Sequence, residues 1–217
     1  MTASPSRDLG PDALRQLARQ RLDRTLAPDA FVSGAPRVSD FALNGPLPDA
    51  ATIAGARAAA VLAPIVARPE GLTMLLTLRS ANLRTHSGQV SFPGGKIDEG
   101  ESPAETALRE AREEIGLDAR YVEPLGWLDS YLTGTGYRIA PLVALVDPAF
   151  TLTINAHEVE DVFEAPFAFL MDVANHSLEE RPLQDGRRKF YAMSYEGRYI
   201  WGATAGILRN LYERLFS

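Results

Sequence analysis

The chain of 217 residues has no cysteine. That absence excludes disulfides, thiol nucleophiles and thiolate metal sites at once. No apolar run approaches the ~20 residues of a membrane span, and the first residues carry no apolar signal-peptide core. The chain ends Leu215-Phe216-Ser217, which is not a peroxisomal address. A cytoplasmic protein with no membrane partner is the resulting expectation. Positive charge is also short: 22 basic against 28 acidic residues give a net charge of −6, which argues against a general nucleic-acid partner. There is no internal repeat and no low-complexity segment. What remains is 46% hydrophobic content, enough for one substantial core with decorations.

The most informative stretch is Gly95 to Leu117, GKIDEGESPAETALREAREEIGL. Ser102 is a good N-cap, Pro103 suits the first helical position, and Glu105 completes a capping box with Ser102. Gly116 is a natural stop after Ile115. Ala104, Ala107, Leu108, Ala111 and Ile115 fall within an arc of roughly 100° that must face a core. Glu110, Glu113 and Glu114 share a second arc, turned away from it. Like charges three or four positions apart destabilise a helix by about 0.2–0.5 kcal/mol per pair. These acids also sit near the C-terminal end, where the helix dipole disfavours negative charge. A solvated helix face is the ordinary explanation of such acids. A Gly-rich loop with one more acid, Glu101, running into the same helix favours a divalent cation, since hard cations take carboxylate oxygens and substrate phosphates.

The spacing G-x5-E-x7-R-E-U-x-E-E-x-G-U, with U apolar, runs from Gly95 through Glu101, Arg109, Glu110, Glu113, Glu114 and Gly116 to Leu117. It resembles a complete Nudix box, matched at each charged and glycine position, with the small Ala111 at one U site. The resemblance implies a metal-dependent hydrolase of a phosphoanhydride, using Mg²⁺ or Mn²⁺. By that resemblance Glu110 and Glu114 are the primary metal ligands, and the Gly95 carbonyl adds a backbone oxygen. Glu113 serves as a ligand, acts through water, or orients the attacking water. Arg109 pairs with Glu101 to hold the loop against the helix. Nudix enzymes often bring a further carboxylate from a distant loop, and Glu158 is favoured over Glu160 in the acidic run from Asn155 to Asp161.

A second signal lies just upstream. Residues 75–95, LLTLRSANLRTHSGQVSFPGG, resemble the signature L-L-T-x-R-S-x3-R-x3-G-x3-F-P-G-G of the coenzyme A pyrophosphatase branch of the Nudix hydrolases. Arg79 and Arg84 suit bidentate phosphate recognition beside a metal site, with Arg79 a candidate for the 3'-phosphate. Gln89, Phe92 and Gly94 are further candidate substrate contacts, and His86 a weaker one. The implied reaction splits coenzyme A, or its oxidised or acyl forms, into 4'-phosphopantetheine and 3',5'-ADP. Two alternatives stay open: a Nudix enzyme for ADP-ribose, NADH or a nucleoside triphosphate, and a non-catalytic Nudix-fold binding module.

The fold class expected is α+β, a Nudix-type α/β/α sandwich with a mixed curved sheet and an N-terminal helical extension. Residues 1–56 form that extension, with a helix over 11–26, and residues 57–217 the hydrolase domain. Residues 57–67 read as a strand that Pro64 places at an edge or bulge. Residues 122–132 and 138–146 read as strands, Pro166 to Met171 as a helical turn, and Tyr195 to Trp201 as part of a paired strand. The basic cluster Arg187-Arg188-Lys189 suits a solvated hairpin. A last helix through Leu208, Leu211 and Leu215 has the apolar spacing of a core contact or of a homodimer contact.

Overall fold

A computed structural model describes residues 9–26, 30–31, 36–81, 87–183 and 186–217. In chain order the elements are α1 (Pro11–Arg21), β1 (Val38–Ser39), α2 (Ala50–Ala54), β2 (Arg57–Arg68), β3 (Gly71–Arg79), β4 (Val90–Ser91) and β5 (Gly94–Lys96). There follow α3 (Pro103–Ile115), β6 (Val122–Trp127), β7 (Tyr131–Leu132), β8 (Tyr137–Val146), β9 (Val159–Pro166) and α4 (Phe167–Leu170). The chain closes with β10 (Ser177–Leu183), β11 (Gly186–Tyr195), β12 (Arg198–Trp201) and α5 (Ala203–Phe216).

Nine strands form one mixed sheet in the order β1-β7-β8-β2-β3-β4, with β5 added to β2, β6 to β8 and β9 to β3. The β2–β8 and β1–β7 pairs are parallel and the others antiparallel. Strand side chains alternate between faces with period two, and the apolar runs of β2, β3 and β8 therefore feed two separate cores. Ala60, Leu62 and Val66, with Leu75, Leu142 and Ala144, pack against Ala107, Ala111 and Ile115 of α3. Ala63, Ile65, Met74, Leu76, Val143 and Leu145 pack on the opposite face with Leu14 and Ala18 of α1 and Leu208, Leu211 and Leu215 of α5. This is the expected α+β sandwich, with an N-terminal helix present. The apolar stripe of α5 is consumed inside the chain, which settles its spacing as a core contact.

Three local readings are corrected. The helix expected over 11–26 stops at Arg21, because Leu22 turns extended and Asp23 exchanges backbone hydrogen bonds with Trp127 at 2.8 and 3.2 Å. Pro64 lies in an inner strand, not at an edge or bulge. Leu62 N–H donates to the Pro93 carbonyl, so the nitrogen of Pro64 faces the same side. There the β5 pairing has ended at Val61 and the β3 pairing begins at Ile65, so the missing donor falls between two partners. The strand expected over 122–132 is broken, with β6 ending at Trp127 and β7 resuming at Tyr131. The basic cluster Arg187-Arg188-Lys189 lies in β11, within a separate three-stranded antiparallel sheet β10-β11-β12. No helix among the described residues is long and apolar enough to cross a membrane.

Candidate active site

The helix α3 forms as its sequence requires. Ser102 Oγ accepts the Glu105 N–H at 3.3 Å and Glu105 returns a bond to the Ser102 N–H at 2.8 Å. At the other end Gly116 adopts a left-handed conformation, φ 72°, which lets Leu117 N–H reach back to the Ala111 carbonyl at 3.2 Å. The apolar face seats on β2, and the acidic face is thereby aimed at the end of the sheet where β5, the end of β3 and the start of β9 meet.

Two glycines make that approach close. β5 pairs with β2 through Val61↔Gly94 and Ala60↔Gly95. A Cβ on Gly94 would stand 2.5 Å from the Ala60 carbonyl oxygen and 2.7 Å from Val61 Cα. A Cβ on Gly95 would fall onto the Glu110 carboxylate. Gly94 N–H points at Glu114 Oε2, 3.3 Å away.

Glu114 is 2% exposed, so the acidic arc expected to face away from the core is only partly solvated. Its burial arises from long-range neighbours. Asn155 N–H bonds to the Glu114 carbonyl at 2.9 Å, and Arg79 Nη1 lies 3.6 Å from Glu114 Oε1. Burial pushes the Glu114 carboxyl up to about 8, against the opposing pull of Arg79 and the Gly94 N–H. Burial likewise raises Glu110, opposed by Arg109. Oxygen atoms of Glu110, Glu114 and Glu158 lie within 4.8 Å of one another. Among the described residues this is the single cluster of that kind.

Glu158 reaches the cluster because its loop is tied down twice. Ser80 N–H donates to the Glu158 carbonyl at 2.9 Å, and Asn155 Nδ2 donates to its carboxylate at 3.1 Å. Glu160 is exposed on β9, outside the cluster. Arg109 binds both Glu101 oxygens, Nε to Oε1 at 2.8 Å and Nη2 to Oε2 at 3.0 Å. Its Nη1 reaches Glu110 and Glu113, each at 2.9 Å. Thr106 Oγ1 donates to Glu101 at 2.6 Å. These bonds hold the Glu101 carboxyl down to about 2, with Arg109 the largest cause. Glu113 is 53% exposed and lies outside the three-carboxylate cluster.

The upstream candidates divide. Arg79 is at the cluster, with its buried Nε lacking a hydrogen-bond partner. Gln89 is half-buried, and its carbonyl accepts the Arg79 N–H at 3.0 Å. Phe92 is buried in the core on the α5 side of the sheet. Arg84 and His86 lie outside the described residues. Asn155 and Thr106 were not singled out from the sequence; Thr106 sits in the unspecified run of the box, and Asn155 is known only by what it ties.

Three carboxylates gathered with one of them buried fit a hard divalent cation, which would relieve their mutual repulsion. The cost of the arrangement without one predicts a pH dependence. The folded Glu114 keeps its proton up to about 8, whereas its ordinary value is 4.5. The folded state therefore holds the extra proton across that window, and stability is lost as pH rises through it. Chelator-treated protein is expected to lose on the order of a few kcal/mol between the two limits, read from urea unfolding at a series of pH values. A flat profile would contradict the buried carboxyl.

Residues 56–192 match the NUDIX domain family. The uncharacterized Nudix hydrolase NudL of Yersinia enterocolitica is 40% identical over 86% of this chain and 98% of its own. Its counterpart in Yersinia pestis (strain Pestoides F) is 40% identical over 73% of this chain and 80% of its own. Among solved structures, the Nudix hydrolase RenU of M. smegmatis superposes with a TM-score of 0.48 at 18% identity, covering 73% of this chain and 85% of that one. The chain belongs to the NUDIX family, hydrolases acting on pyrophosphate bonds.

Proposed function

We propose that this protein is a coenzyme A diphosphatase, cleaving coenzyme A or its oxidised or acyl derivatives into 4'-phosphopantetheine and 3',5'-ADP. The observation that carries the reading is the place of the Arg79-Ser80 pair. These residues belong to the signature that resembles the coenzyme A branch. Arg79 lies 3.6 Å from Glu114, and the Ser80 N–H ties the Glu158 loop at 2.9 Å. Two residues of the signature thus touch the Glu110, Glu114 and Glu158 group, which supports the reading.

Glu110, Glu114 and Glu158 would hold Mg²⁺ or Mn²⁺. Bound there, such a cation stabilises charge developing on the phosphate oxygens and lowers the pKa of a nearby water. The oxygen of water attacks one phosphorus in line with the bridging oxygen, the bond from that phosphorus to the bridge breaks, and the water's proton passes to a carboxylate. Glu113, on the solvent side, is positioned by Arg109 to orient that water. Arg109 and Glu101 lock the loop to the helix and act through the carboxylates. Residues 57–217 form the catalytic unit, and residues 1–56 extend it through α1, whose Leu14 and Ala18 enter the same core.

The test is a panel of coenzyme A, dephospho-coenzyme A, ADP-ribose, NADH and nucleoside triphosphates. kcat/KM for coenzyme A is expected to exceed that for the substrates without pantetheine by at least about tenfold, the equivalent of about 1.4 kcal/mol in the transition state. A preference for ADP-ribose or NADH would overturn the substrate and leave the hydrolase.

A further inference from the structure

The ladder between β3 and β9 changes register between Leu78 and Arg79. Past that shift the backbone is held on two sides. Arg79 N–H donates to the Gln89 carbonyl at 3.0 Å, and the Arg79 carbonyl accepts the Gly88 N–H at 3.1 Å. On the other side Ser80 N–H holds Glu158. The side chain is held less firmly. Its approach to Glu114 is 3.6 Å, beyond a good hydrogen bond, and its buried Nε has no partner. An arginine fork in a partly buried site ordinarily pairs bidentately. Here the main chain is fixed and the head is loosely engaged.

The position suits two tasks in turn. Glu114 is nearly fully buried, with Glu110 and Glu158 within 4.8 Å, and three carboxyl groups so close together can carry negative charge only beside a positive one. When a divalent cation supplies that charge, a guanidinium in the same place becomes a like charge beside it. A planar cation with unused donors then has an anionic diphosphate as its best partner.

We propose that Arg79 stands in for the divalent cation, balancing the negative charge of the Glu110, Glu114 and Glu158 cluster in the metal-free protein and turning to the diphosphate of the substrate when the cation and substrate bind. This rests on the metal-dependent reading above and refines it. Arg79 then serves the diphosphate common to all coenzyme A derivatives and not the 3'-phosphate.

The experiment measures Mn²⁺ binding without substrate, by calorimetry and by the EPR signal of free Mn²⁺, in wild type, Arg79→Gln, Arg79→Lys and Glu114→Gln. Removing the competing charge in Arg79→Gln is expected to tighten Mn²⁺ binding about tenfold, a modest fraction of the Coulomb interaction between charges so close. Arg79→Lys keeps the charge and is expected to stay near wild type. Should the glutamine variant not fold, Arg79→Met removes the same charge while keeping an apolar stem. In kinetics, the charge-removing variant is expected to lose kcat/KM equally for coenzyme A and dephospho-coenzyme A. Unchanged or weaker Mn²⁺ binding in Arg79→Gln overturns the proposal, as does equal tightening in Arg79→Lys. A loss confined to coenzyme A returns Arg79 to the 3'-phosphate. Glu114→Gln separates the layers: if it binds Mn²⁺ as wild type does, the metal site itself is misplaced and the arginine's role falls with it.

Discussion

Glu114→Gln is expected to lower turnover about a thousandfold, or about 4 kcal/mol of transition-state stabilisation. The substitution keeps the side chain's shape and removes its charge. Of the three clustered carboxylates, Glu114 is the most buried, and it faces both Arg79 and the Gly94 N–H. The fold should survive. At pH 8 the metal-free variant should be at least as stable as the metal-free wild type, because a neutral amide replaces a carboxyl whose ionisation burial opposes. Steady-state kinetics at saturating Mg²⁺ with thermal unfolding checks both halves. Wild-type turnover would remove Glu114 from the site. Low turnover with a collapsed melting transition would make the residue structural.

Gly95→Ala carries the second large effect, and it tests geometry rather than charge. The added Cβ would occupy the space of the Glu110 carboxylate, while Gly95 is fixed opposite Ala60 in the sheet. Glu110 must therefore turn away, which disturbs both the carboxylate cluster and its 2.9 Å bond to Arg109. Displacing a catalytic group by about 1 Å can cost about a hundredfold, and kcat is expected to fall by that order. Gly10→Ala is the matching control, since a Cβ there meets nothing within 4 Å. Equal activity in the two variants would show that the glycine is not needed for the close approach.

The boundaries of α3 were legible because they follow local rules. The capping box of Ser102 and Glu105 and the left-handed Gly116 each act within one turn of the chain. The existence of β2 and β8 was legible as apolar runs, but their division between two cores was not, because residues on both faces of these strands are apolar. Pro64 misled because an inner strand tolerates a missing donor where its partners change, and partners are not written in the strand itself. The burial of Glu114 was hidden for the same reason. Helical spacing groups it with Glu110 and Glu113, but the neighbours that enclose it come from residues 79, 94 and 155. Spacing placed three acids on one arc. Tertiary contacts then replaced Glu113 with Glu158 in the close cluster. Glu158 and Glu160 were nearly indistinguishable as letters. The Ser80 N–H and the Asn155 amide separate them in space.

The most direct test of the account is the mass of the products formed from coenzyme A with Mg²⁺ or Mn²⁺, in parallel with a chelated control. The account predicts 4'-phosphopantetheine and 3',5'-ADP in equal amounts with the cation and intact coenzyme A without it. Intact coenzyme A in both, or cleavage that persists in the chelator, would contradict it.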